Sequence, residues 1–220
     1  IPEETYKKSG GYKENRDSKK TLYKVNDRAA HHFHQNFLSL RADAKVKEYC
    51  NRRGLVGDII EKFMIGYAAD SWNELVNYLE RIKAPIDDAK KLGLVRLNTK
   101  GDSNYDFFRH RLIFPIVSPA GQVLGFGGRI IDSGNPKYLN SPDSAVFHKG
   151  KVFYGLNETA KFIRTEDQVI VVEGYMDLIA LYAAGIKNVV ATLGVALTKD
   201  HARLIKRYTK NVLVLFDGDE

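Results

Sequence analysis

The stretch from residue 169 to 216 constrains this chain more than any other. Val169 to Val172 is a continuous apolar run, 176 to 184 has helical periodicity and stops at Gly185, and 188 to 192 is β-branched. A second helical segment follows over 198 to 210, with Thr198 placed as its N-cap, and 211 to 216 (Asn-Val-Leu-Val-Leu-Phe) is apolar again. Strands apolar on both faces need cover on both sides, and single-helix crossovers make neighbouring strands parallel with right-handed connections. The pattern β-α-β-α-β therefore predicts a mainly parallel sheet flanked by helices, an α/β unit over 165 to 220.

That topology also says where chemistry gathers. Parallel strands point their carboxyl ends the same way, and ligands bind in the crevice outside those ends. Glu173 and Gly174 directly follow the first strand, and Asp217-Gly218-Asp219 directly follows the last. Asp217 and Asp219 are two apart and face one side of an extended chain, while Asp177 lies one helical turn beyond Glu173. Carboxylates crowded together repel unless a cation neutralises them, and all-oxygen donors suit Mg²⁺ or Mn²⁺ rather than zinc. The competing reading is that each acid only caps a helix or faces water at a strand end.

Upstream the electrostatics reverse. The chain carries 34 Lys and Arg against 27 Asp and Glu, a net charge of +7. Between Arg96 and Arg164 there are ten basic residues against five acids; from Thr165 to Glu220 there are six against eight. A cationic surface beside an anionic, metal-binding one suits a phosphodiester or a nucleoside triphosphate. Arg109, Arg111, Arg129, the pair Lys137-Tyr138, and Lys149 are the candidates for that surface, against the alternative of an ordinary solvated face. Gly125-Phe126-Gly127-Gly128-Arg129 is the more specific signal: its glycines let the backbone approach a ligand closely with an arginine delivered at the end, although a β-bulge in an ordinary hairpin would also use them.

The remaining pattern is mixed. Residues 1 to 24 are polar and basic around Gly10-Gly11 and read as a linker. A helix is expected from Asn26, with Asn26 or Asp27 as its cap and Ala29, Phe33, Phe37 and Leu40 on one stripe. Shorter helices are expected near 43 to 53, 57 to 63, 72 to 83 and 86 to 92, and a β-hairpin over 112 to 117 and 122 to 126. Residues 25 to 164 thus form an expected basic α+β subdomain. Phe33, Phe37, Trp72 and Tyr78 are expected in the core, and Lys187 and Lys206-Arg207 at the surface. His31, His32 and His34 resemble a metal tract, but three histidines in four residues cannot share one helical face. Cys50 is the only cysteine, so no internal disulfide forms, and no stretch is long and apolar enough to span a membrane; a reducing cytoplasmic setting is the default. The start at Ile1 and the stop just past an apolar strand read as a piece excised from a longer protein.

Six motifs occur in one order. Phe108-Arg109-His110-Arg111-Leu112-Ile113-Phe114-Pro115-Ile116, Gly125-Phe126-Gly127-Gly128-Arg129, Pro136-Lys137-Tyr138-Leu139-Asn140-Ser141-Pro142, Phe147-His148-Lys149-Gly150, Glu173-Gly174-Tyr175-Met176-Asp177 and Phe216-Asp217-Gly218-Asp219 together resemble the RNA polymerase core of bacterial DnaG-type primases. The resemblance runs from about Val25 to the end. It implies a Toprim subdomain, truncated at its C-terminus, behind a basic N-terminal subdomain, in an enzyme that makes short RNA primers on single-stranded DNA. Glu173, Asp217 and Asp219 match the catalytic metal-binding acids, and Asp177 the nearby motif acid, with Mg²⁺ or Mn²⁺ as cofactor. Arg129, Lys137, Tyr138 and Lys149 match the template and nucleotide surface, and Arg109 and Arg111 its basic motif. The family's zinc-binding domain, its helicase-binding domain and a further acidic motif have no counterpart in this sequence. Implied partners are the template, nucleoside triphosphates, the RNA primer and, through the absent domain, the replicative helicase. Rival readings are another Toprim enzyme, a topoisomerase or nuclease, and a non-catalytic single-strand-binding module that stacks bases on Tyr138, Phe126 and Phe147.

Overall fold

The computed structural model describes residues 4–132 and 134–216, with side chains from residue 18 onward. An antiparallel sheet with strand order β1-β4-β5-β6 organises the basic half. It comprises β1 (Gly66–Ala68), β4 (Arg111–Val117), β5 (Val123–Ile130) and β6 (Tyr138–Asn140). The hairpin of β4 and β5 turns through Ser118, whose N–H donates to Gln122 O at 2.9 Å, and Gly121 takes the positive φ of 79° that the tight turn requires. Pro115 is tolerated inside β4 because β1 pairs only as far as Ile113, which leaves β4 an edge at that point.

Helix α1 (Glu4–Leu38) lies across this sheet. It does not begin at Asn26. The apolar stripe continues back through Val25 and Leu22, both buried, so helical packing runs into the stretch read as a linker. Asn26 is buried and reaches across the sheet instead of capping, its Nδ2 donating to Val123 O (3.1 Å) and Leu124 O (2.8 Å). Helices α2 (Lys45–Arg52), α3 (Asp58–Lys62), α4 (Glu74–Arg81) and α5 (Ile86–Lys91), with a small sheet of β2 (Val95–Leu97) and β3 (Asn104–Asp106), complete this half. Burial pushes the Cys50 thiol up to about 12, which leaves it unreactive.

The second half is the predicted parallel sheet, with strand order β8-β7-β9. It comprises β7 (Val169–Val172), β8 (Val189–Ala191) and β9 (Val212–Val214), with α6 (Leu156–Glu166), α7 (Tyr175–Ala183) and α8 (Lys199–Ile205). Thr198 caps α8 by accepting the His201 N–H at 3.0 Å. Helix α8 ends five residues before the expected 210 because the following side chains bond elsewhere. Thr209 Oγ1 and Asn211 Nδ2 each donate to Asp167 O at 2.8 Å, a local alternative to the helical ladder. Among the described residues no helix is long and apolar enough to cross a membrane.

One hydrophobic cluster spans both halves, and Tyr175 is part of it. That ring stacks on Phe114 with centroids 5.1 Å apart and planes 2° from parallel, and meets Tyr154 edge-on at 5.0 Å. Tyr154 in turn exchanges backbone hydrogen bonds with Ala191 at 2.9 and 3.2 Å, so the chain from the basic half extends the parallel sheet. Here the glycines of β5 find their use. A Cβ on Gly127 would collide with Tyr175 Cζ and its hydroxyl, and one on Gly128 would lie 2.9 Å from Phe108 Cδ1. They admit the protein's own aromatic rings rather than a ligand, and the bulge in this hairpin falls at Ile116/Val117 instead. Gly127→Ala should therefore overpack the junction and destabilise the chain by about 1–3 kcal/mol or more, read as a lower urea midpoint.

Candidate nucleotide and template site

The carboxyl ends of β7 and β9 lie side by side. Val171 pairs with Val214, and the Leu215 N–H donates to Val171 O at 2.9 Å, so the two chains leave the sheet together at one edge. Two residues further on, one strand carries Glu173 and the other Phe216. The Glu173 side chain is half-buried, and among the described residues nothing pairs with its carboxylate. Asp177 lies on the first turn of α7, where its Oδ2 accepts the Gly174 N–H at 3.0 Å. Asp217 and Asp219 lie outside the described residues, and among the described residues no group of three ligand-type side chains could hold a metal ion. The chemistry of the donors that are described fits a hard divalent cation: Glu173 offers an unengaged carboxylate, and Asp177 spends one oxygen on its cap.

The basic strands stand next to this edge. Arg129 on β5 is the register partner of Tyr138 on β6, and its Nη1 donates to the Tyr138 hydroxyl. The guanidinium lies between two rings, 4.9 Å from the Tyr138 centroid and 5.3 Å from that of Tyr49, and Arg129 is only 8% exposed. Burial raises the Tyr138 phenol; Arg129 opposes this, and Tyr49 and Asp177 add to it. Asp177 thus reaches electrostatically from the acidic half into the basic one. Arg111 is buried at 6%, and burial with the nearby Arg109 charge lowers its pKa; its Nη1 donates to Lys137 O at 3.4 Å. Lys137 is exposed and Lys149 partly so. The Lys149 segment is mounted on α8, because buried His201 Nε2 lies 3.1 Å from Lys149 O and Thr198 Oγ1 donates to Gly150 O at 2.6 Å. One further link crosses the halves: the Tyr175 hydroxyl donates to Asn140 Oδ1, and Asn140 Nδ2 donates to Leu193 O at 3.2 Å.

Arg109 sits apart from Arg129. Its guanidinium stacks 4.2 Å above the ring of Trp72 and 5.5 Å from that of Tyr105. Trp72, expected in the core, is 66% exposed and borders an open groove of about 600 Å³ with Asn73, Leu97, Asn98 and Tyr105. An exposed tryptophan under an arginine is a candidate binding feature that the sequence reading missed. Its polar neighbours, Asp70-Ser71 before it and Asn73-Glu74 after it, already argued against a core position. The histidine tract divides among separate partners. His31 meets Asp27 O at 2.9 Å, His32 meets Glu74 at 2.6 Å and stacks on Tyr78, and buried His34 meets Ile65 O at 2.8 Å.

Residues 33–160 match the family described as DNA primase catalytic core, N-terminal domain, and residues 167–220 match the Toprim domain. The chain belongs to the DNA primase catalytic core family. Among its relatives, the DNA primase of Clostridium acetobutylicum is 42% identical over 208 residues, covering 94% of this chain and 34% of that protein. The solved DnaG primase catalytic domain bound to ssDNA superposes with a TM-score of 0.84 at 37% identity, over 93% of this chain and 65% of that one. The Aquifex aeolicus primase, with zinc-binding and RNA polymerase domains, gives a TM-score of 0.84 at 39% identity over 92% and 49%. The chain spans about a third of the length of the curated relatives it matches.

The link from Tyr175 to Asn140 can be weighed by itself. Tyr175→Phe removes one hydrogen bond and keeps the ring, so a loss of about 1 kcal/mol is expected in chemical denaturation. Asn140→Ala, which breaks both of that residue's bonds, should cost more.

Proposed function

We propose that this chain is the part of a DNA primase that joins ribonucleotides on a single-stranded DNA template. The observation that carries the reading is the adjacency, across a shared hydrophobic cluster, of a half-buried Glu173 at a parallel strand end, unengaged among the described residues, and a cationic strand pair with Arg129 on β5 and Tyr138 on β6, just after Lys137. Glu173, Asp217 and Asp219, with Asp177 beside them, would hold Mg²⁺ or Mn²⁺. Bound there, such an ion would neutralise triphosphate charge and lower the pKa of an attacking hydroxyl.

The chain's own residues do the positioning. Lys137 and Lys149 offer ammonium groups to phosphate oxygens, and Tyr138 offers a ring face to a base. Arg129 and Arg111 act from behind, the first by fixing the Tyr138 ring and the second by holding the Lys137 backbone. Trp72 under Arg109 provides a second stacking face, at which we place the incoming template. In the reaction a 3′-hydroxyl attacks the α-phosphorus of a nucleoside triphosphate and pyrophosphate leaves, with no covalent enzyme intermediate. Tyr175, two residues past Glu173, is buried with its phenol held far above the ordinary range, which counts against Tyr175 itself as a nucleophile of the topoisomerase kind. The RNA primer is the product, and the replicative helicase at the cytoplasmic replication fork is the partner proposed for the whole protein.

In the whole enzyme, Glu173→Ala should lower primer synthesis by about 100-fold or more, near 3 kcal/mol of transition-state stabilisation, while oligonucleotide binding stays within about twofold. Normal synthesis by that variant would sink the reading. Lys149→Ala should instead weaken binding and reduce the slope of log affinity against log salt by about 0.7.

A further inference from the structure

Among the described residues Asp106 is the only buried carboxylate, at 2% exposure, and it lies beside the Trp72–Arg109 pair. All of its polar groups are engaged. Its Oδ2 accepts the Leu75 N–H at 2.7 Å and its Oδ1 the Val76 N–H at 2.9 Å, so it caps α4 from a distant strand. Asn73, which occupies the cap position of that helix, makes no side-chain cap bond. The Asp106 N–H donates to Trp72 O at 2.7 Å, and its carbonyl accepts from Arg109 Nη1. Both members of the stacked pair therefore hang on one residue. A local Asn73 cap would serve α4 without burying a charge, which is costly. The long-range cap adds a tie between β3 and the loop that carries the indole.

We propose that Asp106 is a positioning residue for the template: its carboxylate holds the first turn of α4 and its backbone holds Trp72 and Arg109, setting the exposed indole and guanidinium in stacking register. This rests on the reading of that pair as a template contact.

The charged groups around Asp106 are Glu74 on α4, which repels it, and Arg109, which attracts it. His32 on α1 is bonded to Glu74 at 2.6 Å, and Arg96 on β2 lies over the Phe107 ring at 4.1 Å. Burial raises the Asp106 carboxyl from 3.8 to about 6 against the pull of the two N–H donors. A raised native value means that the folded chain holds this proton more tightly than the unfolded one. The associated stability is complete below 3.8 and is lost as pH rises through about 6. Protonation also replaces a charged acceptor at the α4 cap with a neutral one, a change that Trp72 feels through the same residue.

Trp72 is the only tryptophan of the 220-residue chain, so its emission reports on this pair directly. We expect the wild-type emission, without DNA, to titrate with a midpoint near pH 6, and Asp106→Asn to be flat from pH 5 to 7. At pH 7.5 that variant, with unchanged far-UV circular dichroism, should bind an oligothymidylate about fivefold more weakly, the scale of one ordinary hydrogen bond. A flat wild-type emission overturns the proposal, as does a titration that persists in Asp106→Asn. So does a folded variant with wild-type emission and affinity. If that variant does not fold, Asp106→Glu, which keeps the charge but displaces both N–H contacts of α4, takes its place, and an emission and affinity unchanged from wild type overturn the proposal. If the emission titrates through Asp106 but oligothymidylate leaves it unmoved, the positioning role stands and the template reading of Trp72 and Arg109 falls.

Discussion

The Tyr175 ring fills a gap that only glycine leaves open, at Gly127, and the candidate site hangs on that contact. Strand β7 ends at Val172 and α7 begins at Tyr175, so Glu173 and Gly174 form a two-residue span clamped at both ends. On one side β7 is hydrogen-bonded to β8 and β9; on the other the Tyr175 ring is locked against Phe114 and Tyr154. The Gly174 N–H is further held by Asp177. The Glu173 backbone thus has little freedom, and a metal ligand or local base set in this way loses little entropy on binding. The same ring also fixes β6 through Asn140, which makes the distance from acid to basic strand a property of the core.

The two kinds of cation in the basic half divide the labour along physical lines. Arg111 and Arg129 are buried, where an ammonium would be costly and a planar guanidinium can stack between tyrosine rings or reach a backbone carbonyl. Lys137 is exposed and Lys149 partly so, which leaves their charges available to the phosphate oxygens of the proposed substrate. Replacing either arginine would disturb the strand as well as the charge, so its effect on binding mixes the two. The lysines offer the cleaner measure of phosphate contact.

Much of the parallel half was legible because its signals are local. Short apolar runs, Thr198 ahead of a helix, and Gly185 at a helix end with φ 92° carry their meaning within a few residues. The basic half was less legible because its decisive features act across the sheet. Asn26 looked like a cap and is a buried strap, since its partners at Val123 and Leu124 are remote in sequence. Gly127 and Gly128 looked like a ligand approach and are sockets for aromatic rings. Nor could Asp106 be recognised as the cap of α4, because it comes from a strand some thirty residues away. At the candidate site the motifs pointed to Glu173, Lys137, Tyr138 and Lys149, but they could not separate buried arginines from exposed lysines.

Both halves of the site are tied to the same frame by separate routes. Tyr175 and Asn140 join β6 to α7, and buried His201 with Thr198 joins the Lys149 segment to α8. Moving either lysine segment relative to Glu173 would break part-buried hydrogen bonds, and behind the Lys149 segment Phe153 packs against His201 at 4.5 Å. The described part of the arrangement, Glu173 and the two lysine segments, is therefore held by the fold itself. In phosphoryl transfer the protein contributes little covalent chemistry, and most of its work is holding charges where the transition state needs them. A rigid junction between an acidic edge and the basic strands would meet that requirement in the proposed reaction.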